Sequence, residues 1–224
     1  MIDWNRIDTL LLDMDGTLLD LHFDDHFWLQ FMPAFLPEAH AYSPERLDIE
    51  FHTPMRTTRG TLDWYCVDHW TEHLSMPVMD AMARHRHLIR WRPGSTDFLR
   101  LARKAGLKLL IATNAHRAVW QLKADTLDLI HFVDGVVSSH DYGQPKEAEH
   151  FWQSLAREQS LDLSRCAFFD DSEAVLDSAR RHGVGTVVGI DHPNSYRDPR
   201  QFNAHVQIRD FSDLAPSLRL AHGG

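Results

Sequence analysis

The sequence TLLLDMDGTL, at residues Thr9–Leu18, is the stretch from which the rest of this chain can be interpreted. A continuous apolar run that ends in a turn signal is typical of a buried strand in a parallel sheet. In a strand Asp13 and Asp15 lie on the same face, and Gly16 then allows the chain to turn away. Both carboxylates are therefore expected at the carboxyl end of the strand, where open α/β sheets bind their ligands. Because Asp-Gly turns also end ordinary strands, the remaining segments have to decide whether this is a site.

The composition of the chain is that of a globular protein, and it limits the possible partners. The chain has 224 residues, of which 43% are hydrophobic and 25% are charged. This length allows one large domain, or one domain with a smaller domain inserted in it. The formal net charge of −9 argues against a nucleic-acid partner, which would require clustered Lys and Arg. A small phosphorylated substrate needs only local cations and is compatible with this charge.

The cysteines, the histidines and the amino-terminal sequence bear on metal content and cellular compartment. Cys66 and Cys166 lie far apart and no Cys-x-x-Cys is present, so neither a disulfide framework nor a zinc knuckle is predicted. The sixteen histidines show no His-Glu-x-x-His or comparable metal-ligand spacing. The first residues lack the basic start and apolar segment of a signal peptide, and no apolar run reaches membrane-spanning length. We therefore expect a cytoplasmic protein without a membrane partner.

A long stretch without strand-like runs, residues 18–92, follows the first predicted strand. It is far longer than a βαβ crossover helix requires, and its apolar residues recur at helical spacing. Helices are predicted over Asp24–Phe35, ending near Pro37, from a start at Ser43-Pro44, over Thr61–Leu74 and over Met76–Trp91. The stretch therefore predicts a small helical domain inserted into the chain.

Beyond Pro93 the predicted strands alternate with helices, one of which Ser95 is expected to cap. The strands are predicted at Leu107–Thr113, Val133–Ser138, Cys166–Asp170 and Val184–Ile190, with a possible short one at Val206–Ile208. No element is predicted for the polar segment Asp191–Asn203. The alternation is typical of α/β proteins with a doubly wound parallel sheet. Residues 1–17 and 93–224 are thus expected to form an α/β core domain, and residues 18–92 a helical one.

Polar side chains follow four of the predicted strands. They are Asp13 and Asp15 after the first, Thr113 and Asn114 after the second, Lys146 after the third, and Asp170 and Asp171 after the fourth. In these residues and their order the chain resembles the haloacid dehalogenase-like (HAD) phosphohydrolase superfamily, and the match covers the residues outside the insertion. Each motif alone is weak, but four at the ends of successive predicted strands are strong because their structural context is predicted as well. The resemblance implies a Rossmann-like α/β core with an inserted cap.

The resemblance also implies a role for each catalytic residue. Asp13 would be the nucleophile and form an aspartyl-phosphate that water then cleaves. Asp15 would protonate the leaving oxygen and then deprotonate the attacking water. Thr113 would donate its hydroxyl to a phosphoryl oxygen, and Lys146 would offset negative charge on the nucleophile and the phosphate. Dehalogenase relatives lack the second carboxylate, so the presence of Asp15 favours phosphatase or phosphomutase chemistry.

Magnesium is the cofactor that the resemblance implies, with manganese or cobalt as possible substitutes. Mg²⁺ is a hard ion that is bound through few carboxylates and keeps several waters. Its implied ligands are Asp13, the backbone carbonyl of Asp15, and Asp171, with Asp170 as a near partner. Which of the two adjacent aspartates binds directly is left open, although alignment of the Asp171-Ser172 pair favours Asp171.

The insertion is rich in aromatic residues, namely Phe23, Phe27, Trp28, Trp64, Tyr65 and Trp70. Aromatic residues at helical spacing usually form a core, so most of these are expected to pack within the insertion. In the superfamily such an insertion is a cap that covers the active site and sets substrate choice. Trp64 or Tyr65 is the expected stacking surface for a planar ring.

The runs DMDGTLLD (13–20), WYC (64–66) and TNAH (113–116) resemble a bacterial branch of the superfamily that hydrolyses GMP and IMP. A preference for a 6-oxo purine requires a hydrogen-bond donor aimed at that oxygen. Arg56, Arg59 and His116 are candidates, and Asn114 is a further candidate for substrate contact. A structural role for His116 is an equally acceptable interpretation.

Three other functions remain open on the sequence alone. A phosphatase of another small metabolite, such as a sugar phosphate, would use the same residues, and so would a phosphomutase. A catalytically silent binding module is less compatible with the intact set of charged residues, because burying carboxylates without a task is costly. In each case the expected partner is a small-molecule phosphate monoester, and no oligomeric state is predicted.

Overall fold

The computed structural model describes residues 2–202 and 205–222, and a parallel sheet runs through the middle of this part of the chain. Its strands are β1 Thr9–Leu12, β2 Lys108–Thr113, β3 Gly135–Ser138, β4 Cys166–Asp170, β5 Thr186–Ile190 and β6 Val206–Ile208. They are ordered β3-β2-β1-β4-β5-β6, so the first strand lies between two halves of the sheet. The predicted α/β class with a doubly wound parallel sheet is confirmed.

Register brings the carboxyl ends of the central strands to one edge. Leu12 of β1 lies opposite Ile111 of β2 on one side and Phe169 of β4 on the other. Beyond Leu12, the backbone N–H of Asp13 still donates to the carbonyl of Phe169 at 2.9 Å. The residue that follows β1 is therefore held directly beside the end of β4.

The helices between β1 and β2 are short, and several follow one another without a loop. They are α1 His22–His26, α2 Met32–His40, α3 Pro44–Leu47, α4 Thr53–Thr57, α5 Leu62–Tyr65, α6 Val67–Leu74 and α7 Val78–Arg84. Phe27–Phe31 forms a π-helical turn between α1 and α2, and Asp48–His52 forms another between α3 and α4. The helical character predicted for this stretch is thus observed, and its division from the core at residues 17/18 and 92/93 stays a prediction.

The rest of the described chain holds six more helices, of which the first comes before β2 and the others after it. The remaining helices are α8 Ser95–Lys104, α9 Arg117–Leu127, α10 Ser139–Tyr142, α11 Glu149–Glu158, α12 Glu173–Arg181 and α13 Ala215–His222. The 3-10 turns are Trp4–Arg6, Arg86–Leu88, Leu129–Phe132, Leu163–Arg165 and Phe211–Asp213. No helix in the described part of the chain has both the length and the apolar character needed to cross a membrane.

Alternation along β1 divides the apolar core between the two faces of the sheet. Leu10 and Leu12 belong to one cluster with Phe98 of α8, whereas Leu11 belongs to a second cluster with Trp152 of α11. All three leucines are fully buried, and each such burial contributes roughly 1.5–3 kcal/mol to stability. Burial on both faces is the reason why the strand is a continuous apolar run.

Several local predictions differ from the structure. The helix predicted over Met76–Trp91 ends at Arg84 and is followed by a 3-10 turn, because the chain becomes extended at Ile89. The strands predicted from Val133 and Val184 begin two residues later, at Gly135 and Thr186.

The first long helix continues past Pro37 to His40, because a proline in the last turn costs a single hydrogen bond while Leu36 remains buried in the core. Ser95 is the first helical residue of α8 rather than its cap, since Gly94 takes the cap position at φ +75°. The helix predicted over Thr61–Leu74 is interrupted at Cys66, whose ψ of 107° is extended.

The insertion leaves and rejoins the core through two adjacent segments. Leu19 pairs with Trp91 in an isolated antiparallel bridge. The N–H of Asp20 donates to the carbonyl of Arg90 at 3.0 Å, and the N–H of Arg92 donates to the carbonyl of Leu18 at 2.9 Å. The two ends of the insertion therefore lie side by side.

Residues 191–202, in the segment for which no element is predicted, are irregular and lie against the start of the insertion, whereas Asn203 lies outside the described residues. The carbonyl of Pro193 accepts from the N–H of Leu21 at 2.9 Å, and Asn194 donates to the Asp25 carboxylate at 2.6 Å. Further along, Arg200 pairs with Asp171 at 2.8 Å. The segment thus borders the edge of the sheet where β1 and β4 end.

Candidate active site

Three carboxylates and one lysine meet at the carboxyl ends of the central strands. One oxygen from each of Asp13, Asp170 and Asp171 lies within 4.8 Å of the other two. The buried ammonium of Lys146 donates to Asp13 Oδ1 at 2.5 Å, to Asp170 Oδ2 at 2.7 Å and to the carbonyl of Ala112 at 3.0 Å. One lysine therefore fixes the nucleophile candidate relative to β4.

The carboxylates outnumber the cations that neutralise them. Burial raises the pKa of Asp13 well above its usual range, against the effect of Lys146 and with that of Asp170 and Asp171. Burial and the charge on Asp170 raise the pKa of Asp171 to about 7, although Arg200 opposes this. Burial lowers the pKa of Lys146, but Asp13 and Asp170 outweigh it, so the pKa is raised and the ammonium stays charged. Because the surplus is negative and the donors are all oxygens, the cluster fits a hard divalent cation such as Mg²⁺.

Thr113 and Asn114 end β2 beside this cluster. Thr113 is buried, and its hydroxyl oxygen accepts from the N–H of Ala115 at 3.0 Å, which leaves its own proton to be donated. The side chain of Asn114 accepts from the N–H of Lys146 at 2.9 Å and donates to Glu147 at 3.0 Å. The amide of Asn114 thus holds the loop that carries Lys146.

Asp15 faces a second buried lysine, which the sequence analysis did not single out. Nζ of Lys123, on α9, forms an ion pair with Oδ1 of Asp15 at 2.7 Å. The same ammonium donates to both oxygens of Asp24, on α1, at 2.7 and 2.8 Å. Burial lowers the pKa of Lys123, but Asp15 and Asp24 outweigh it and raise the pKa. Lys123 therefore joins the acid–base candidate to the insertion.

A cavity of about 990 Å³ lies between this edge of the sheet and the insertion. The core contributes the residues already described, including Asp13, Asp15, Thr113, Asn114, Lys146, Asp170 and Asp171. The insertion contributes aromatic and basic side chains, including Trp28, Trp64, Tyr65, Arg56 and Arg59. We call the core residues of this lining the charged floor of the cavity, and Trp28, Trp64 and Tyr65 its aromatic wall. The charged floor and the aromatic wall therefore line one cavity.

The family of the chain can be read from its similarity to known proteins. Residues 7–183 match the family model of the haloacid dehalogenase-like hydrolases. The chain belongs to this family. It is also 33% identical over 217 residues to the GMP/IMP nucleotidase YrfG of Escherichia coli K12, a match that covers 97% of this chain and 98% of that protein. The resemblance found in the sequence is thus confirmed, and this HAD hydrolase is an enzyme of the phosphatase class.

Solved structures support the HAD fold. An HAD phosphatase from Thermococcus onnurineus superposes with a TM-score of 0.79 at 20% identity, covering 95% of this chain and 98% of that one. A putative β-phosphoglucomutase from Thermotoga maritima superposes with a TM-score of 0.67 at 16% identity, covering 96% and 99%. At these identities the likeness concerns the fold alone.

The predicted substrate-binding residues of this HAD enzyme are brought together with one exception. Trp64, Tyr65, Arg56, Arg59 and Asn114 line the cavity. His116 lies outside the lining: its Nδ1 accepts from the N–H of Ala118 at 3.4 Å and so caps α9. His116 is therefore the one candidate that the fold does not bring to the cavity.

Two other side chains at the HAD site were missed by the sequence analysis. Glu147 accepts from the Tyr65 hydroxyl at 2.9 Å and from Asn114, so it links the insertion to the core. Burial and Glu147 raise the pKa of the Tyr65 phenol, which therefore stays neutral. Arg200, which is in the irregular segment, pairs with Asp171.

Lys123 was also missed, although it lies four residues after Val119 on the buried face of α9, where a lysine is unusual.

Proposed function

We propose that this enzyme hydrolyses purine nucleoside 5′-monophosphates, GMP and IMP ahead of AMP, to the nucleoside and phosphate. The observation that carries the proposal is that Trp64 and Tyr65 line the same cavity as Asp13 and Lys146. A purine monophosphate has an anionic end for the charged floor and a planar ring for the aromatic wall. The relative whose name specifies GMP and IMP supports the same substrate class.

The size of the cavity suits a nucleotide. Pockets for small ligands usually enclose about 300–1,000 Å³, and this one, at about 990 Å³, is at the upper end of that range. A nucleoside monophosphate fills such a space better than inorganic phosphate or a short phosphorylated acid would. Room for a base therefore exists beyond the carboxylate cluster.

The proposed reaction has two phosphoryl-transfer steps. Lys146 holds Asp13 through Oδ1, so the other carboxylate oxygen is the one expected to attack phosphorus. The bond from phosphorus to the nucleoside 5′-oxygen breaks as Asp15 delivers a proton to that oxygen. Asp15 then accepts a proton from water, whose oxygen attacks the aspartyl-phosphate and releases phosphate and free Asp13. Thr113 would donate to a phosphoryl oxygen in both steps.

Asp13, Asp170 and Asp171 would hold Mg²⁺, or Mn²⁺ or Co²⁺ in its place, with the backbone carbonyl of Asp15 as a further ligand. A bound divalent ion would offset charge on the phosphoryl oxygens. Both oxygens of Asp170 already accept hydrogen bonds, from Lys146 and from the N–H of Ser172 at 2.7 Å. Asp171 is held by Arg200 through Oδ2, which supports Asp171 as the more available ligand.

Base recognition is proposed to combine stacking with one donor. The Trp64 and Tyr65 rings are perpendicular, with centroids 4.8 Å apart, so a base parallel to one of them cannot stack on the other. Stacking is worth roughly 1–3 kcal/mol, which corresponds to at most about a hundredfold preference. Arg56 is engaged by Thr53 at 2.8 Å, whereas no hydrogen bond or ion pair engages Arg59 within the described residues. Arg59 is therefore the better candidate donor to a 6-oxo group.

The test is a comparison of kcat/KM on GMP, IMP, AMP, UMP and glucose 6-phosphate with Mg²⁺ present. We expect GMP and IMP to be the best substrates. Trp64 and Tyr65 are each replaced with Ala. The variant that lacks the ring on which the base stacks should show a larger rise in KM for GMP than for p-nitrophenyl phosphate. Arg59→Gln should reduce the preference for GMP over AMP, with Arg56→Gln as the control that reduces it less. A tenfold advantage for glucose 6-phosphate would refute the nucleotide proposal and leave the phosphatase class intact.

We also infer that residues 18–92 act as a cap that opens and closes over the cavity, with hinges near residues 17–21 and 91–94. Closure would exclude bulk water and limit substrates to small molecules. The contacts of Tyr65 with Glu147 and of Asp24 with Lys123, both between insertion and core, support a closed form that such a motion would break. Rapid turnover of a folded phosphoprotein, with poor turnover of nucleotides and sugar phosphates, would contradict this inference.

A further inference from the structure

A second cluster of potential ligands lies apart from the carboxylates. One ligand atom from each of Cys66, His116 and His140 lies within 4.8 Å of the other two. Cys66 belongs to the insertion, whereas His116 follows β2 and His140 is in α10. None of the three is among the residues that line the cavity. Three segments distant in sequence thus bring a thiol and two imidazoles together.

Cys66 and His140 can bind an ion as they stand, whereas His116 must first give up the long 3.4 Å hydrogen bond that its Nδ1 accepts from Ala118, because Nδ1 carries the proton when Nε2 binds a metal. Nε2 of His140 is buried and has no hydrogen-bond partner within the described residues, an arrangement that is costly for a polar atom. Nε2 of His116 lies 3.4 Å from a carboxylate oxygen of Asp68, and the two imidazole rings are nearly perpendicular with centroids 4.9 Å apart. Sγ of Cys66 accepts from the N–H of His69 at 3.5 Å at the start of α6.

We propose that Cys66, His116 and His140 form a binding site for a borderline-soft transition-metal ion of the Zn²⁺ class, with Asp68 as the fourth ligand. Thiolate and imidazole are the ligands that zinc prefers, whereas Mg²⁺ takes oxygen ligands. Tetrahedral zinc bonds of these types place ligand atoms roughly 3.5 Å apart, so the observed separations of up to 4.8 Å close by small side-chain rotations. The carboxylate cluster and this cluster therefore select different ions.

The position of the site decides what ion binding does to the molecule. Cys66 and Asp68 lie on the insertion, and the two histidines lie on the α/β core. Cys66 directly follows Tyr65, which lines the cavity and contacts Glu147. A bound ion thus joins the insertion to the core at a point next to the proposed base-binding wall.

Cobalt titration tests the site in the intact protein with Mg²⁺ in excess. Co²⁺ bound to a thiolate absorbs in the near ultraviolet by sulfur-to-metal charge transfer, and Co²⁺ bound only to carboxylates does not. We expect one equivalent of Co²⁺ to give this band, and one equivalent of Zn²⁺ to remove it. Cys66→Ser and His140→Ala should abolish the band, and Cys166→Ser should retain it, because Cys166 is buried in β4. Absence of the band in the wild type, or its survival in Cys66→Ser, would overturn the proposal.

A second measurement uses the wild type alone and so does not depend on the folding of a variant. The half-buried thiol of Cys66 should react with iodoacetamide, and Zn²⁺ should slow this reaction at least tenfold, as read from the modified peptide. Mg²⁺ is present in both arms, and the buried Cys166 serves as the internal reference. An unchanged alkylation rate at Cys66 with Zn²⁺ present would also overturn the proposal. Serine is itself a favourable helix N-cap, so Cys66→Ser is expected to keep α6.

Discussion

Lys146 has three partners, and this determines what a substitution at Asp13 should do. In Asp13→Asn the ammonium keeps Asp170 and the carbonyl of Ala112, so the fold should persist. The amide cannot form an aspartyl-phosphate, and kcat should fall at least about a thousandfold, as for other catalytic groups. Steady-state kinetics and circular dichroism check both statements. Asp8→Asn, which changes an exposed carboxylate paired with Arg165, is the control and should keep its activity. Near wild-type turnover in Asp13→Asn would rule out the nucleophile assignment.

Replacing Lys123 should lower the free energy of unfolding, because its ammonium pairs with two carboxylates. Lys123→Met would leave Asp15 and Asp24 facing each other without the cation that pairs with both. Removing one partner of a buried ion pair costs roughly 3–5 kcal/mol, and the partial exposure of the two carboxylates favours the lower end. We expect a loss of about 3 kcal/mol in the free energy of unfolding, measured with urea.

The double variant Lys123→Met, Asp24→Asn should recover part of that loss, because one of the two unpaired charges is gone. Lys104→Met, on the exposed last turn of α8, is the matched control and should change stability by less than about 0.5 kcal/mol. Equal stability of Lys123→Met and the wild type would show that the ion pairs contribute nothing net.

Site residues could be predicted from the sequence where a strand places them. A buried apolar run ends at each of Asp13, Thr113 and Asp170, so the hydrophobic pattern of the strand and the turn residues after it indicate where these side chains lie. Lys123 and Glu147 could not be predicted in this way, because their partners lie on other elements whose packing no local pattern specifies. The roles assigned to the site residues stay predictions until variants are measured.

The turn after β1 depends on a glycine for two separate reasons. Gly16 has a φ of +83°, and a Cβ there would lie 2.8 Å from Cγ of Asp171. Gly106 has a φ of +80° and nothing within 4 Å of such a Cβ. Both Gly16→Ala and Gly106→Ala should lose about 1–2 kcal/mol of stability from the left-handed backbone. Only Gly16→Ala should also lower kcat and raise the Mg²⁺ concentration required, because it displaces Asp171. Equal kinetics in the two variants would mean that the turn accommodates the methyl group.

Asp20, where the insertion begins, should make one connection sensitive to acid. Burial raises the pKa of Asp20, but the hydrogen bonds from Ser195 and from the N–H of His22 outweigh it and hold the pKa below its usual value. A carboxyl whose pKa is lower in the folded than in the unfolded protein stabilises the fold. Its full contribution is present above the unfolded pKa of about 3.9, and it is lost as the pH falls through the folded pKa.

The stability advantage of the wild type over Asp20→Asn should therefore be constant between about pH 5 and 7 and shrink below about pH 4. Urea unfolding of both proteins at several pH values measures it. Taking the difference cancels the acid response of the other carboxylates, provided that they are distant from Asp20. If the stability advantage of the wild type grew as the pH fell, the pKa of Asp20 would be raised by folding and not lowered.

Among the elements, strands were predicted more accurately than helices. β4 has the predicted bounds, Cys166–Asp170, because burial on both faces makes it a sharp apolar run. The helices of the insertion are short and broken, at Cys66 by an extended residue and at Phe27–Phe31 by a π-helical turn. Phe27 is fully buried at one of these breaks, and hydrophobic periodicity in the sequence does not distinguish a π-helical turn from an α-helix.

For the molecule as a whole, activity and stability should both depend on a divalent ion. Chelation should abolish turnover, and Mg²⁺ should restore it, since Asp13, Asp170 and Asp171 repel one another without it. An ion that binds only the folded state at 100 times its Kd adds about 2.7 kcal/mol, so thermal unfolding should move to higher temperature. Asp171→Ala should remove most of that shift. Full activity in excess chelator would refute the magnesium requirement.

The adjacent ends of the insertion have an evolutionary consequence. Leu19 and Trp91 are paired, so the core has the same two attachment points whatever lies between them. A segment of different length or sequence with equally close ends could replace residues 20–90 without moving β1 or β2. Recombination of one internal stretch of the gene could therefore exchange the side chains that the insertion contributes to the cavity in a single event, while β1 and β2 are inherited unchanged.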